Sequence, residues 1–174
     1  MKIIIYASQY GTTTQYAQEL SKKTGIKAVD YHNIGDINSY DVIIYLGALY
    51  AGGILGMKKT FRKISDVANK KIIIATVGLA NPSDKNNTDA IKDNIKRQVS
   101  QEVYSNAHIH FLRGGIDYSR LGLKHRTMMA LLYKKAKRLK QEDKTAEVEA
   151  LIETYGKKVN FIDFDTLNPI IDDI

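Results

Sequence analysis

At 174 residues the chain is long enough to bury one substantial core, and it contains no cysteine. Disulfides, thiolate metal sites and cysteine nucleophiles are therefore excluded. The formal charge of +7 favours an anionic partner, such as nucleic acid, an acidic protein or a membrane surface, without choosing among them. No apolar run approaches the roughly 20 residues of a membrane span, and the N-terminal run is too short for a secretory signal, so we expect a cytoplasmic location.

Apolar runs alternate with helical patterns along the chain. Residues 2–7, rich in isoleucine, are typical of a buried strand. Residues 13–24 have apolar and small side chains at helical spacing, and Gly25 ends that helix. Further strands are predicted at 27–31, 41–47, 71–78 and 107–112, and further helices at 56–68, 89–103, 123–140 and 145–158.

Five strands alternating with helices indicate a parallel sheet covered on both faces. Periodicity does not give the strand order. If the order is 2-1-3-4-5, the chain reverses between the first and third strands, and ligands bind beyond the carboxyl ends of strands at such a point. Residues 8–13 and 47–53 follow those two strands and are rich in glycine and hydroxyl side chains, so we predict a ligand site there.

The segment 8–13 joins the first strand to the first helix and suits a phosphate. A helix N-terminus offers unpaired N–H groups, and Gly11 permits close approach of the backbone. Additional hydroxyl donors are Ser8, Thr12, Thr13 and Thr14. The glycine patterns of P-loop and dinucleotide folds are missing. On composition alone, an ordinary capped turn remains an equally open interpretation.

Three segments resemble those of flavodoxins. Residues 8–13 are similar to the phosphate-loop pattern Ser/Thr-x-Thr-Gly-x-Thr, with Tyr10 in place of the usual Thr. Residues 47–53 and 76–82 lie where flavodoxins carry the two loops around the isoalloxazine ring. The likeness extends to the menaquinone-dependent protoporphyrinogen IX dehydrogenase branch of the flavodoxin-like superfamily, through residues 47–64, 77–88 and 112–132.

The resemblance implies an α/β, flavodoxin-like three-layer sandwich around a five-stranded parallel sheet of order 2-1-3-4-5. It implies one domain over residues 1–174, with a basic helical insertion at about 113–142 after the fifth strand. The implied cofactor is FMN. Its predicted binding residues are Ser8, Gln9, Tyr10, Gly11, Thr12, Thr13, Ala48, Leu49, Tyr50, Ala51, Gly52, Gly53, Val77, Gly78, Leu79, Ala80 and Asn81. No catalytic residue and no metal ligand is predicted.

Several of these residues have a specific expected role. Tyr50 is predicted to stack on the isoalloxazine ring, the alternative being a tyrosine packed on the surface. Gly52 and Gly53 either let a carbonyl turn toward the flavin N5–H on reduction, as the resemblance implies, or form a flexible turn. His108 and His110 share one face of the fifth strand, and we interpret them as a structural pair because no third metal ligand is evident.

The region after the fifth strand combines an apolar stripe with positive charge. The stripe consists of Leu123, Met128, Met129, Leu131, Leu132 and Leu139. The basic residues are Arg120, Lys124, Arg126, Lys134, Lys135, Lys137, Arg138 and Lys140. Such a helix either lies on the inner face of an anionic membrane or covers the sheet and exposes its polar side to solvent. Nucleic acid is not expected, because aromatic interleaving and a known module are absent.

Two functions from different classes follow from these patterns. The first is an FMN-dependent oxidoreductase, a protoporphyrinogen IX dehydrogenase or quinone-linked enzyme, with a small molecule or quinone as electron partner. The second is a non-enzymatic flavodoxin-type electron carrier. The charge of +7 favours the enzyme, since carrier flavodoxins are typically acidic. A flavin-free domain that binds partners is a third interpretation.

Overall fold

Buried, isoleucine-rich strands form the centre of the computed structural model, which describes residues 1–174. The strands are β1 (Lys2–Ala7), β2 (Ala28–Asp30), β3 (Val42–Tyr50), β4 (Gly53–Ile54), β5 (Lys71–Gly78), β6 (Ala107–Arg113), β7 (Gly115–Asp117) and β8 (Lys158–Asn160). The helices are α1 (Thr12–Thr24), α2 (Met57–Phe61), α3 (Lys85–Gln98), α4 (Gln101–Asn106), α5 (Leu123–Arg138), α6 (Ala146–Thr154) and α7 (Asn168–Asp172). None of these helices is both long and apolar enough to cross a membrane.

The five parallel strands of the main sheet pair in the order β2-β1-β3-β5-β6. Because β5 and β6 are the fourth and fifth parallel strands, the predicted order 2-1-3-4-5 is confirmed. The short β4, which was not predicted, pairs antiparallel with the end of β3, where Tyr50 lies opposite Gly53. This pairing extends β3 three residues beyond its predicted end at residue 47.

Alternate side chains of the sheet enter two separate buried clusters, so helices cover both faces. On β1, Ile3 and Ile5 contribute to the cluster that includes α2 and α3. Ile4 contributes to the opposite cluster, which α1 and α7 cover. Each such isoleucine stabilises the fold by about 1.5–3 kcal/mol through burial. The three-layer α/β sandwich is therefore confirmed.

Two predicted helices differ most from the observed ones, and a third, predicted at 145–158, ends earlier, at Thr154. The helix predicted at 89–103 is two helices, because Val99 is extended and the Ser100 hydroxyl accepts a hydrogen bond from the Val103 N–H, capping α4. The helix predicted at 56–68 is only α2, which ends at Phe61. In both places local capping and turn formation outweigh an apolar spacing that continues past the observed end.

The segment after α6 ties the C-terminus to the rest of the fold; the sequence predicted helix for it up to residue 158 and assigned no element beyond. The strand β8 pairs antiparallel with β7. The fully buried Tyr16 of α1 donates a hydrogen bond from its hydroxyl to the Arg113 carbonyl (2.8 Å) and accepts one from the Asp163 N–H (3.1 Å). One side chain thus joins α1, the end of β6 and the C-terminal segment.

The two histidines of β6 also hold this segment. His108 Nδ1 lies 3.0 Å from Asp173 Oδ1, and His110 Nε2 lies 2.7 Å from Asp173 Oδ2. Burial raises the pKa of Asp173, but the hydrogen bonds with His110 and His108 outweigh it and hold that pKa below its usual value. The contacts agree with the interpretation of a structural pair.

We expect Tyr16→Phe to lower the free energy of unfolding by about 1–2 kcal/mol, because a buried carbonyl and a backbone N–H lose their partner. Urea denaturation of the two proteins measures this difference. The control is Tyr104→Phe, a half-buried tyrosine whose ring contacts Lys96. Equal effects of the two substitutions would contradict the prediction.

Candidate functional site

A cavity of about 580 Å³ opens at the carboxyl ends of β1, β3 and β5. Its walls come from the loops that follow these strands, from α3, and from the segment containing α5 and α6. The lining is mostly apolar with a few polar groups, as is typical of cofactor sites. The cavity therefore lies where the reversal of strand order predicts a ligand.

Most of the predicted binding residues meet in this cavity. Those that line it are Gln9, Tyr10, Thr12, Ala48, Leu49, Tyr50, Ala51, Gly52, Gly53, Val77, Gly78 and Leu79. The predicted residues that do not line it are Ser8, Gly11, Thr13, Ala80 and Asn81. The structure brings the three loops together, while the binding role of each residue stays a prediction.

The loop before α1 presents unsatisfied donors. Gly11 adopts a left-handed conformation with φ of 92°, which glycine reaches at little cost, and its N–H bonds the Ser8 hydroxyl at 3.1 Å. No side chain caps α1, so the N–H groups of its first turn lack an acceptor. The Thr13 hydroxyl is buried without a partner. These groups fit a phosphate, which would accept from several of them at once.

Tyr10 fills the position at which the flavodoxin pattern has Thr, and it faces α5. Its ring lies edge-on to those of Tyr50 and His125, with centroids 6.3 and 5.8 Å away. Burial, with a smaller contribution from Tyr50, raises the pKa of Tyr10 to about 12, so the phenol is neutral at physiological pH. Tyr10 therefore joins the phosphate-loop segment to α5 through aromatic packing.

The turn between β3 and β4 is strained and tied to α3. Ala51 and Gly52 both have positive φ, at 50° and 78°, and Asn94 donates a hydrogen bond to the Gly52 carbonyl at 2.9 Å. The Tyr50 hydroxyl donates to Met128 Sδ at 3.4 Å. If the Gly52 carbonyl turned toward a flavin, its hydrogen bond from Asn94 would first have to break. This rotation of the carbonyl and the stacking of Tyr50 on the flavin ring both stay predictions.

The loop after β5 is held from three sides. Arg113 Nε donates to the Leu79 carbonyl at 3.0 Å, and its guanidinium lies 3.7 Å from the ring centroid of Phe161. The Gly114 N–H donates to the Gly78 carbonyl at 2.7 Å. On the third side, a carboxylate from α6, that of Glu147, accepts hydrogen bonds from the backbone of the loop.

Sequence reasoning missed the walls formed by α3, the start of β7, α5 and α6. These residues are Asn87, Ala90, Ile91, Asn94, Arg97, Gly114, Gly115, Ile116, Met128, Met129, Leu132, Thr145, Glu147, Val148 and Leu151. The apolar spacing of Met128, Met129 and Leu132 was visible in the sequence. That spacing shows which side of a helix is apolar, but the surface it faces depends on tertiary contacts.

The family model described as flavodoxin domain matches residues 3–143. The chain belongs to the flavodoxin domain family. FMN is the cofactor that this family implies, in agreement with the prediction and with the donors at α1. No curated protein matches the chain. None of the matches distinguishes the protoporphyrinogen dehydrogenase branch.

Solved structures with a similar fold come from several bacteria. Flavodoxin 1 from Bacillus cereus is 16% identical, with a TM-score of 0.43 over 64% of this chain and 83% of that chain. A flavodoxin variant from Fusobacterium nucleatum, bound to flavin mononucleotide, is 20% identical, with a TM-score of 0.41 over 68% of this chain and 71% of that chain. At these values the fold assignment rests on the strand order and the family match.

Replacing Thr13 by Val removes the unpartnered hydroxyl and keeps the side-chain shape. We expect the dissociation constant for FMN to rise about tenfold, since a hydrogen bond to the charged phosphate is lost. Riboflavin, which has no phosphate, should bind both proteins equally. Flavin fluorescence titration measures both constants, and an equal loss for the two ligands would contradict the assignment of Thr13 to the phosphate.

Proposed function

We propose that the chain is an FMN-binding oxidoreductase whose cofactor has its phosphate at the N-terminus of α1 and its ring in the cavity. The observation that carries this proposal is the uncapped first turn of α1, whose residue Thr12 lines an apolar cavity at the strand reversal. Bound FMN supplies hydride or single-electron transfer. The chain itself binds and orients that cofactor.

Charge and enclosure favour an enzyme over an electron carrier. A carrier docks a partner protein against an open flavin edge, and a charge of +7 does not suit basic partners. Here Met128, Met129 and Leu151 of α5 and α6 form a wall across the cavity. A small apolar substrate or a quinone fits beside such a wall better than a protein surface does.

Within this class we propose quinone-linked dehydrogenation of a porphyrinogen. The support is the resemblance of residues 47–64, 77–88 and 112–132 to the menaquinone-dependent protoporphyrinogen IX dehydrogenases. The apolar lining of the cavity is consistent with a mostly apolar reductant. The alternative is a flavodoxin-type electron carrier with unusual charge.

We also propose that α5 contacts the inner face of an anionic membrane. The predicted apolar stripe is divided between two sides of this helix. Met129 is buried, whereas the side chains of Leu123 and Leu131 are 82% and 63% exposed. They stand among exposed basic residues, and α5 contains no acidic residue. Leu123 and Leu131, surrounded by cations, are complementary to lipid with anionic headgroups.

Titration with FMN, followed by turnover, tests the enzymatic proposal. We expect flavin fluorescence to change with one FMN per chain. The loaded protein should then oxidise a porphyrinogen and reduce a menaquinone analogue. A colourless protein that leaves flavin fluorescence unchanged would overturn FMN binding. A protein that binds FMN but turns over neither substrate would favour the carrier, and its reduction potential would then decide the role.

Sedimentation with lipid vesicles tests the membrane proposal. The protein should bind vesicles that contain an anionic lipid, less so at high salt, and not neutral vesicles. Replacing Lys134 and Lys135 together by Gln should weaken binding roughly tenfold or more. The control replaces the exposed Lys58 and Lys59 by Gln and removes the same charge elsewhere. Equal loss in the two variants would point to net charge and not to α5.

A further inference from the structure

Glu147 brings a carboxylate to the inner wall of the cavity, from the first turn of α6. Its Oε1 accepts a hydrogen bond from the Ala80 N–H at 3.1 Å, and its Oε2 accepts one from the Leu79 N–H at 3.4 Å. The side chain also covers Gly78. A Cβ added to this glycine would lie 2.7 Å from Leu49 Cδ1 and closer still to Glu147 Oε1.

No ion pair accompanies this carboxylate. The charge of Arg113 acts on it, but the Arg113 Nε bonds the Leu79 carbonyl and its guanidinium stacks on Phe161. Burial raises the pKa of Glu147, and the N–H groups of Ala80 and Leu79, with Arg113, only partly oppose that rise. A half-buried carboxylate whose partners are loop amides is costly to keep, so it is a poor candidate for a purely stabilising contact.

The two amides that Glu147 occupies belong to the loop predicted to border the flavin ring. Each N–H carries one hydrogen, so it cannot fully serve the carboxylate and a ligand at the same time. The isoalloxazine ring has carbonyl oxygens along its pyrimidine edge, and these are the acceptors that such amides suit. A ligand placed there therefore competes with Glu147 for the same donors.

We infer that Glu147 competes with ligands at this cavity: a ring with carbonyl acceptors must take the Leu79 and Ala80 amides from it before it binds fully. This inference rests on the proposed binding of FMN. The first turn of α6 follows the largely exposed residues 140–145, so Glu147 can withdraw without disturbing the sheet. Ligands that lack acceptors at this edge leave the hydrogen bonds of Glu147 in place.

Replacing Glu147 tests the inference, with riboflavin and FMN as probes. Glu147→Ala frees both amides, so both flavins should bind about tenfold tighter. Glu147→Gln keeps one acceptor oxygen and should have an intermediate effect. Removing a negative charge could also strengthen the binding of the FMN phosphate. Because riboflavin has no phosphate, an equal gain in affinity for the two ligands would show that the freed amides are the cause. The control Glu153→Gln makes the same charge change at an exposed position of α6 and should leave both constants unchanged.

Amide hydrogen exchange supplies a second readout without turnover. In the ligand-free protein, the Leu79 and Ala80 amides should exchange faster in Glu147→Ala than in the wild type, and flavin should slow them again in both. Thermal melts followed by circular dichroism establish that each variant is folded. If Glu147→Ala is not folded, Glu147→Gln carries both measurements.

Several outcomes overturn the inference. Unchanged or weaker flavin binding by folded Glu147 variants overturns it while leaving FMN binding intact. Unchanged exchange of the Leu79 and Ala80 amides overturns the contact itself. If neither the wild type nor any variant binds riboflavin or FMN, the proposed function fails, and the competition between Glu147 and flavin fails with it.

Discussion

The parallel pairing of β1 with β3 is the constraint on which the site depends. It sets Ala7 beside Gly47, so the two chain segments that leave these strands emerge next to each other. Because β2 lies on the other side of β1, and β5 on the other side of β3, the covering helices diverge at this point. The strand order alone therefore leaves a cavity between these helices. The side chains that line the cavity then determine which ligand it binds.

The cavity has a wall opposite the sheet, formed in part by α5, in addition to the loop before α1. Tyr10 extends from the loop before α1 toward His125, and Tyr50 extends from the β3–β4 turn toward Met128. Both contacts join the edge of the sheet to α5. A tyrosine at position 10 gives up a small hydroxyl that could face an anion and gains aromatic packing against the helix that encloses the cavity.

The sequence predicted the elements whose signals are local. Buried strands such as β1 and β5 were evident from their isoleucine runs, and the family pattern supplied their order. The break at Val99 and Ser100 was missed because apolar spacing continues through it, whereas a single cap decides where the helix stops. Glu147 was missed for another reason: in sequence it is one of three acidic residues of α6, with Glu149 and Glu153, and only the tertiary fold places it against the cavity.

The hydroxyl of Tyr16 extends the cooperative unit of the protein beyond the family match, which ends at residue 143. It joins the second turn of α1 to the Arg113 carbonyl and to Asp163 in the C-terminal segment. Arg113 in turn holds the loop after β5. The C-terminal segment is therefore attached one helical turn from Thr12, which lines the cavity. A ligand that orders the first turn of α1 should for this reason also slow local opening of the C-terminal segment.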